Sequence, residues 1–344
     1  MTARAHLTLW LWLALAGCAA SPPAPSATPG PSAPASAEAE PEPARAVDEG
    51  APIADAYPVP SAVPVSPEPP APTPPPSPLV PRDAGVAAAN AKAEAGKLGE
   101  AAAELTRALP RIDREAPLED RMLAHALLGR RHGERKDSKK ARAEYQLVLA
   151  AWSDPGKAAK TILGASPDEA QGLRRLGQAL TVVGEALFFE AEQKRAKALA
   201  LRPPRFAGAA NDQAVRRYIS REVAPWMQKR RTLGEEADAA YRKILDLQPV
   251  PPPRWVVAAA SEVGTLYEAL PKDLEKVAVP PSIRNDPKLL SAYQSALHDA
   301  LAPELERAKG AYRLCKNLAE KYRHHDAYTK TCEARLTALE SQSP

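Results

Sequence analysis

The sequence predicts an all-α fold, an irregular array of helical repeats that follows a proline-rich linker. Three observations carry that prediction. From about Ala84 onward the chain is written in Ala, Leu, Glu, Lys and Arg, all strong helix formers. Between breaks it runs in windows of about 12 to 25 residues with apolar positions at i, i+3, i+4 and i+7. No alternation of β-branched and polar residues persists long enough to make a strand. Roughly 260 residues of this composition suffice for a sizeable core.

The punctuation comes in order along the chain. Pro110 and Pro117, Asp154-Pro155-Gly156, Pro203-Pro204, the run Pro249 to Pro253, Pro271, Pro280-Pro281, Pro287 and Pro303 mark expected breaks. Proline lacks the N–H and its ring clashes with the preceding turn. Between the breaks a pattern of small and large residues returns. Ala101, Leu105 and Ala108 are followed by Ala141, Tyr145 and Val148, by Ala237, Tyr241 and Ile244, and by Ala308, Tyr312 and Cys315. In each set the small residue lets a neighbouring helix approach, and the larger one fills the gap a turn later. Leu128-Gly129 precedes the second set and offers a contact without a side chain. Pro249 ends the third set's helix, and Trp255 opens the next. The last window splits in two, Leu305 to Tyr322 and Ala327 to Leu339. Arg323-His324-His325-Asp326 forms the turn, with Asp326 as N-cap.

These positions resemble the tetratricopeptide repeat, a helix-turn-helix unit of about 34 residues that stacks into a superhelix. Ala237, Tyr241, Ile244 and Pro249 match its second helix; Leu128, Gly129, Ala141 and Tyr145 match the whole unit. The copies depart from a fixed period, and Pro225 falls where a first helix is expected to be continuous. The resemblance therefore implies irregular repeats with insertions, and a plain helical bundle is the competing reading.

The N-terminus is of a different kind. Arg4 supplies a positive n-region, and Leu7 to Ala16 form an apolar h-region of about ten residues, half the length of a membrane span. Leu15-Ala16-Gly17-Cys18 resembles the lipobox of bacterial lipoproteins: an aliphatic residue, two small ones, then cysteine. The resemblance implies cleavage after Gly17 and lipidation of Cys18. Ala19 in place of Asp implies sorting to the outer membrane of a Gram-negative cell. An ordinary secretory signal is the plainer alternative.

More than half of the 38 prolines fall between Pro22 and Pro81, among Ala, Ser and Glu. Such a stretch buries too little apolar surface to offset its chain entropy and is expected to act as a disordered spacer. Its PxxP-type runs, such as Pro69-Pro70-Ala71-Pro72, are the alternative, as ligands for an aromatic groove. As a polyproline II rod, about 60 residues span up to ~190 Å; as a coil the reach is ~45 Å. The expected organisation is thus a signal peptide over 1–17, a lipid-anchored linker over 18–83 and a helical repeat domain over 84–344.

The linker is acidic. Glu38, Glu40, Glu42, Asp48, Glu49, Asp55, Glu68 and Asp83 face only Arg45 and Arg82, so the helical part is more basic than the chain's net +4. Export argues against nucleic acid and leaves lipid headgroups, cell-wall polymers or an acidic protein face as partners. Arg130, Arg131, Arg135, Lys136, Lys139, Lys140 and Arg142 surround one repeat turn, and Lys229, Arg230 and Arg231 precede another. Arg130, Arg131, Arg135 and Lys139 are the candidate partner-binding residues, with Arg130 on the concave first-helix face; simple solvation is the other reading.

No HExxH, GxSxG or glycine-rich phosphate loop occurs, and no cofactor is implied. His125 and His132 could share a helix face, but no Cys or acidic partner completes a metal site. His324-His325-Asp326 reads as a turn. Once Cys18 carries lipid, Cys315 and Cys332 remain as an even pair in an oxidising compartment. They sit about eight residues before and about seven after the turn, at similar height on antiparallel helices, and a disulfide is expected.

Arg254 to Ala260, Gly264 to Glu268 and Tyr293 to Cys315 resemble repeat-containing lipoproteins of deltaproteobacteria, including the gliding-motility machinery of myxobacteria. The resemblance implies a non-enzymatic scaffold for envelope proteins, anchored in the outer membrane and facing the periplasm. An accessory lipoprotein for outer-membrane assembly or secretion and a helical cell-wall enzyme are the alternatives.

Overall fold

A computed structural model describes residues 80–207, 211–277 and 279–341. The expected signal peptide, Cys18 and nearly all of the linker lie outside the described residues. Within them the chain is helical and contains no strand. The first five helices are α1 (Ala84–Glu94), α2 (Leu98–Glu115), α3 (Leu118–Glu134), α4 (Ser138–Ala151) and α5 (Pro155–Gly164). The long α6 (Glu169–Ala200) comes after them. Then come α7 (Asp212–Tyr218), a π-helical turn (Ile219–Val223), α8 (Ala224–Leu245), α9 (Pro253–Leu274) and the short α10 (Pro281–Arg284). The last two are α11 (Pro287–Tyr322) and α12 (Ala327–Ser341).

Helix starts follow local chemistry. The side chains of Asp83, Asp137, Asp154, Asp168, Asn211 and Asp286 accept backbone N–H bonds from the first turns of α1, α4, α5, α6, α7 and α11. Asp326 does the same for α12, accepting from the N–H of Tyr328 at 2.8 Å and of Thr329 at 3.2 Å. Each cap satisfies donors that a helix leaves open. Three hairpin turns need a left-handed residue: Gly96 (φ 77°) closes α1–α2, Lys136 (φ 59°) does so for α3–α4, and Arg323 (φ 51°) for α11–α12.

Four prolines expected to interrupt helices do not. Pro110, Pro271 and Pro303 lie inside α2, α9 and α11. The apolar stripe continues across each of them: Leu105 and Ile112 are buried around Pro110, Leu270 and Leu274 around Pro271, Leu301 and Ala308 around Pro303. Burial of that stripe outweighs the roughly 3 kcal/mol that an interior proline costs a helix. Pro225 does not interrupt its helix either. The π-turn ahead of it absorbs the missing N–H and the ring, with the Ala224 N–H bonding the Ile219 carbonyl.

The core has two main clusters joined by α6. Val86, Ala89, Ala101, Leu105, Leu127, Ala141, Val148 and Leu180 belong to the first; Ala191, Tyr241, Val257, Ala308, Tyr312 and Cys315 belong to the second. Leu187 of α6 packs against both. All four small residues of the repeated pattern, Ala101, Ala141, Ala237 and Ala308, are fully buried.

The packed domain begins slightly before the change in composition. Pro81 is buried. Arg82 donates to the Ala165 carbonyl at 2.7 Å and to Glu119 at 2.6 Å, and the Asp83 N–H donates to the buried Asp120 at 2.7 Å. Arg111 grips the Asp83 carboxylate with two bonds, at 2.6 and 2.9 Å.

Candidate interaction surface

The α3–α4 hairpin is built around one close contact. A Cβ on Gly129 would meet the Tyr145 ring at 3.0 Å, so a glycine is what lets α4 lie against α3. The Tyr145 hydroxyl donates to Glu185 of α6 at 2.9 Å. Glu185 is buried and needs a counter-charge. Arg130 supplies it, with Nε donating to Glu185 at 2.6 Å. Burial disfavours the Arg130 guanidinium, but Glu185 more than compensates and holds its pKa above the usual value. Burial, reinforced by Glu185, pushes the Tyr145 phenol up as well.

Arg130, expected on the groove face, pairs with Glu185 of α6 and neutralises it, while part of its side chain stays exposed. The other candidates stay outside. Arg131 is half-buried and pairs with Glu134 at 3.0 Å, one turn along α3. Arg135 and Lys139 are exposed at the turn and the start of α4, together with Lys136 and Lys140. Gly99 lies 3.4 Å, measured from its would-be Cβ, from the Arg131 guanidinium, which sets the α1–α2 turn and its exposed Lys97 beside this tip. The result is a basic ridge at the α3–α4 turn.

The second basic cluster of the sequence splits. Lys229 is exposed, whereas Arg230 is only 2% exposed. Arg230 lies 3.4 Å from Asp273, and Arg231 donates to Glu304 at 2.7 Å. Both arginines, with Glu304, Arg307 and Tyr267, line a cavity of about 20 Å³ between α8, α9 and α11. Arg230 Nε and Glu304 Oε2 are buried without protein partners. Burial, only partly offset by Asp273, lowers the Arg230 pKa.

His125 is flanked by two carboxylates from neighbouring helices. Its Nδ1 lies 2.7 Å from Glu144 of α4 and its Nε2 3.1 Å from Asp113 of α2. Burial works against its imidazolium, yet the two carboxylates prevail and raise its pKa. Among the described residues no group of three His, Cys, Asp or Glu side chains is placed to hold a metal. His324 and Asp326 lie 3.3 Å apart within the α11–α12 turn. Cys315 and Cys332 are bonded, with Cα atoms 6.4 Å apart.

One recurrent device was not readable from sequence. A buried tyrosine hydroxyl meets a carboxylate that an arginine also holds. Besides Tyr145–Glu185–Arg130, the device is seen in Tyr241–Glu192–Arg195, Tyr267–Asp238–Arg242 and Tyr312–Glu268–Arg335. A buried phenol requires an acceptor, which is the available signal. The acceptor's helix is set by tertiary packing, and sequence spacing does not disclose it. Compared with known proteins, the chain matches no family model, no curated sequence and no solved structure.

Proposed function

We propose that this chain is a lipid-anchored scaffold of the bacterial envelope whose tetratricopeptide-like helical hairpins bind acidic segments of partner proteins. The observation that carries the reading is the basic ridge at the α3–α4 tip. Arg135, Lys136 and Lys139 project there with none of the internal pairing that holds Arg130, so their charge is available for complementarity. The repeat resemblance is supported by the glycine-to-tyrosine contacts, Gly129 on Tyr145 and Gly264 on Tyr312, each joined to the small-residue spacing. The envelope location rests on the lipobox resemblance at Cys18 and is compatible with the bonded Cys315–Cys332 pair. Outer-membrane anchoring and a place in gliding motility are what the N-terminal and C-terminal resemblances imply.

Extraction with mild detergent followed by affinity capture of the full chain tests this. A stoichiometric set of envelope proteins, lost when Arg135 and Lys139 are both changed to Glu, is the expected outcome. A set made of outer-membrane barrels and their insertion machinery would favour the assembly-accessory role over motility. Capture of the chain alone, or a set insensitive to the charge reversal, contradicts the proposal.

A further inference from the structure

A second charged surface lies at the far end of α6. Arg175 packs near Glu119, which Arg82 also contacts, so the first third of α6 marks where the N-terminal chain enters the fold. Leu201, just past the end of α6, is 26 residues further on, about 39 Å at 1.5 Å per residue. There the segment after α6 is pinned against the α7–α8 helix. Trp226 donates its indole N–H to the Leu201 carbonyl at 3.3 Å, and the Tyr218 hydroxyl donates to the Pro204 carbonyl at 2.9 Å. Phe206 meets Tyr218 edge-on with ring centroids 5.1 Å apart. Arg202 and Arg205 alternate with these pinned positions and are exposed.

Arg216, Arg217 and Arg221 are exposed on the adjoining helix. Arg217 and Arg221 are one turn apart on one face, and the π-turn that accommodates Pro225 carries Arg221. None of these five arginines makes an ion pair among the described residues, although exposed Glu222 is close in sequence. Five unpaired like charges within such a short span repel one another, and an arginine fork is shaped for paired oxygens of an anion.

We propose that this arginine face docks an extended acidic segment of a partner polypeptide, with carboxylates at alternate positions. Side chains one helical turn apart are about 5–6 Å from one another at Cβ, and same-side side chains of an extended chain repeat every ~6.6 Å. Arg217 and Arg221 can therefore each hold one carboxylate, with Arg216 and the Arg202–Arg205 segment flanking them. Trp226 and Tyr218 are buried holding the pinned segment, so the surface that the arginines present acts through charge. This surface is separate from the α3–α4 ridge, and the assignment stands or falls independently of the proposed scaffold role.

The test is a fluorescence-anisotropy titration of the full chain with a labelled peptide of four glutamates alternating with alanines. Binding is expected, weakened at least tenfold by Arg217→Glu with Arg221→Glu, and twofold or more by Arg217→Lys with Arg221→Lys, which keeps charge but loses the fork. Reversing Arg135 and Lys139 should change the affinity less than threefold. Absence of binding, equal affinity in the Arg217→Glu/Arg221→Glu variant, or loss only with the α3–α4 reversal overturns the assignment. So does capture of phosphatidylglycerol vesicles through Arg217 and Arg221 without peptide binding. Should the glutamate variant lose helix by circular dichroism, the lysine variant decides, and wild-type affinity there overturns it.

Discussion

The α3–α4 hairpin and the α9–α11 pair solve one packing problem with different connections. In both, a glycine on one helix receives a tyrosine ring from its neighbour: Gly129 takes Tyr145, and Gly264 takes Tyr312. Residues 135–137 join the first pair directly, whereas residues 275–286, with α10 among them, separate the second. The short hairpin is fastened by charge, through His125 between Glu144 and Asp113 and through Arg130 on Glu185. The long one is backed by α12, which is bonded to α11 through Cys315–Cys332 and reaches Glu268 of α9 with Arg335. A wide connection loses the advantage of closeness in sequence, and a covalent clamp outside the pair restores it.

The sharpest way to break this comparison is the glycine itself. At Gly264 an added Cβ would lie 2.6 Å from Tyr312 Cδ1, and the Tyr312 hydroxyl is fixed by its 2.9 Å bond to Glu268. At Gly129 the nearest ring atoms stand at 3.0 Å. Gly264→Ala is expected to cost about 3 kcal/mol through overpacking. Gly129→Ala should cost about 1 kcal/mol or less, because helix propensity returns part of the loss. Urea unfolding midpoints of the two variants check the order, and equal losses would break the comparison.

Removing the clamp comes next. The bond spans a sequence separation of 17, and changing both cysteines to Ala is expected to lose up to ~3 kcal/mol, as for closed loops near that size. Hydrogen exchange should rise in α11 and α12 and stay unchanged in α3 and α4. Uniform loss of protection would contradict a clamp acting on one pair.

Arg130→Met probes the charged fastening. It leaves Glu185 buried with Tyr145 as its remaining partner, and about 2 kcal/mol is expected, discounted for the partial exposure of Arg130. Arg135→Glu on the same hairpin should stay within about 0.5 kcal/mol. If Arg130→Met is as silent as Arg135→Glu in thermal melts, the inward role of Arg130 is wrong.

The smallest effect is one of pH. The pKa of His125 is raised in the fold, so its imidazolium contributes stability below the unfolded value near 6.5, and that contribution fades as pH rises through the folded pKa. Wild type should therefore lose stability relative to His125→Gln as pH rises above about 6.5. Parallel profiles for the two proteins would place the clasp's contribution elsewhere.

Much of this was legible in the chain. The small-residue spacing found Ala141 and Tyr145, Ala237 and Tyr241, Ala308 and Tyr312, because a helix repeats in sequence what it buries in space. The α11–α12 turn was legible for the same local reason, since Asp326 lies next to the helix it caps. Prolines misled: Pro110, Pro271 and Pro303 carry a local cost, but the long-range burial of their helices decides the outcome. The site suffered from the same limit. Exposure of Arg135 and Lys139 stems from their place at a turn, while the inward turns of Arg130 and Arg230 depend on Glu185 and Asp273, 55 and 43 residues away.

The most direct test of an exported scaffold with one covalently clamped pair is peptide mass spectrometry of the full protein taken from cells without reduction. Two features are expected together in one digest: a mature chain that begins at a lipid-bearing Cys18, and a single crosslinked species joining the Cys315 and Cys332 peptides. Two free thiols in envelope-derived protein, together with an unmodified Cys18, would contradict the account.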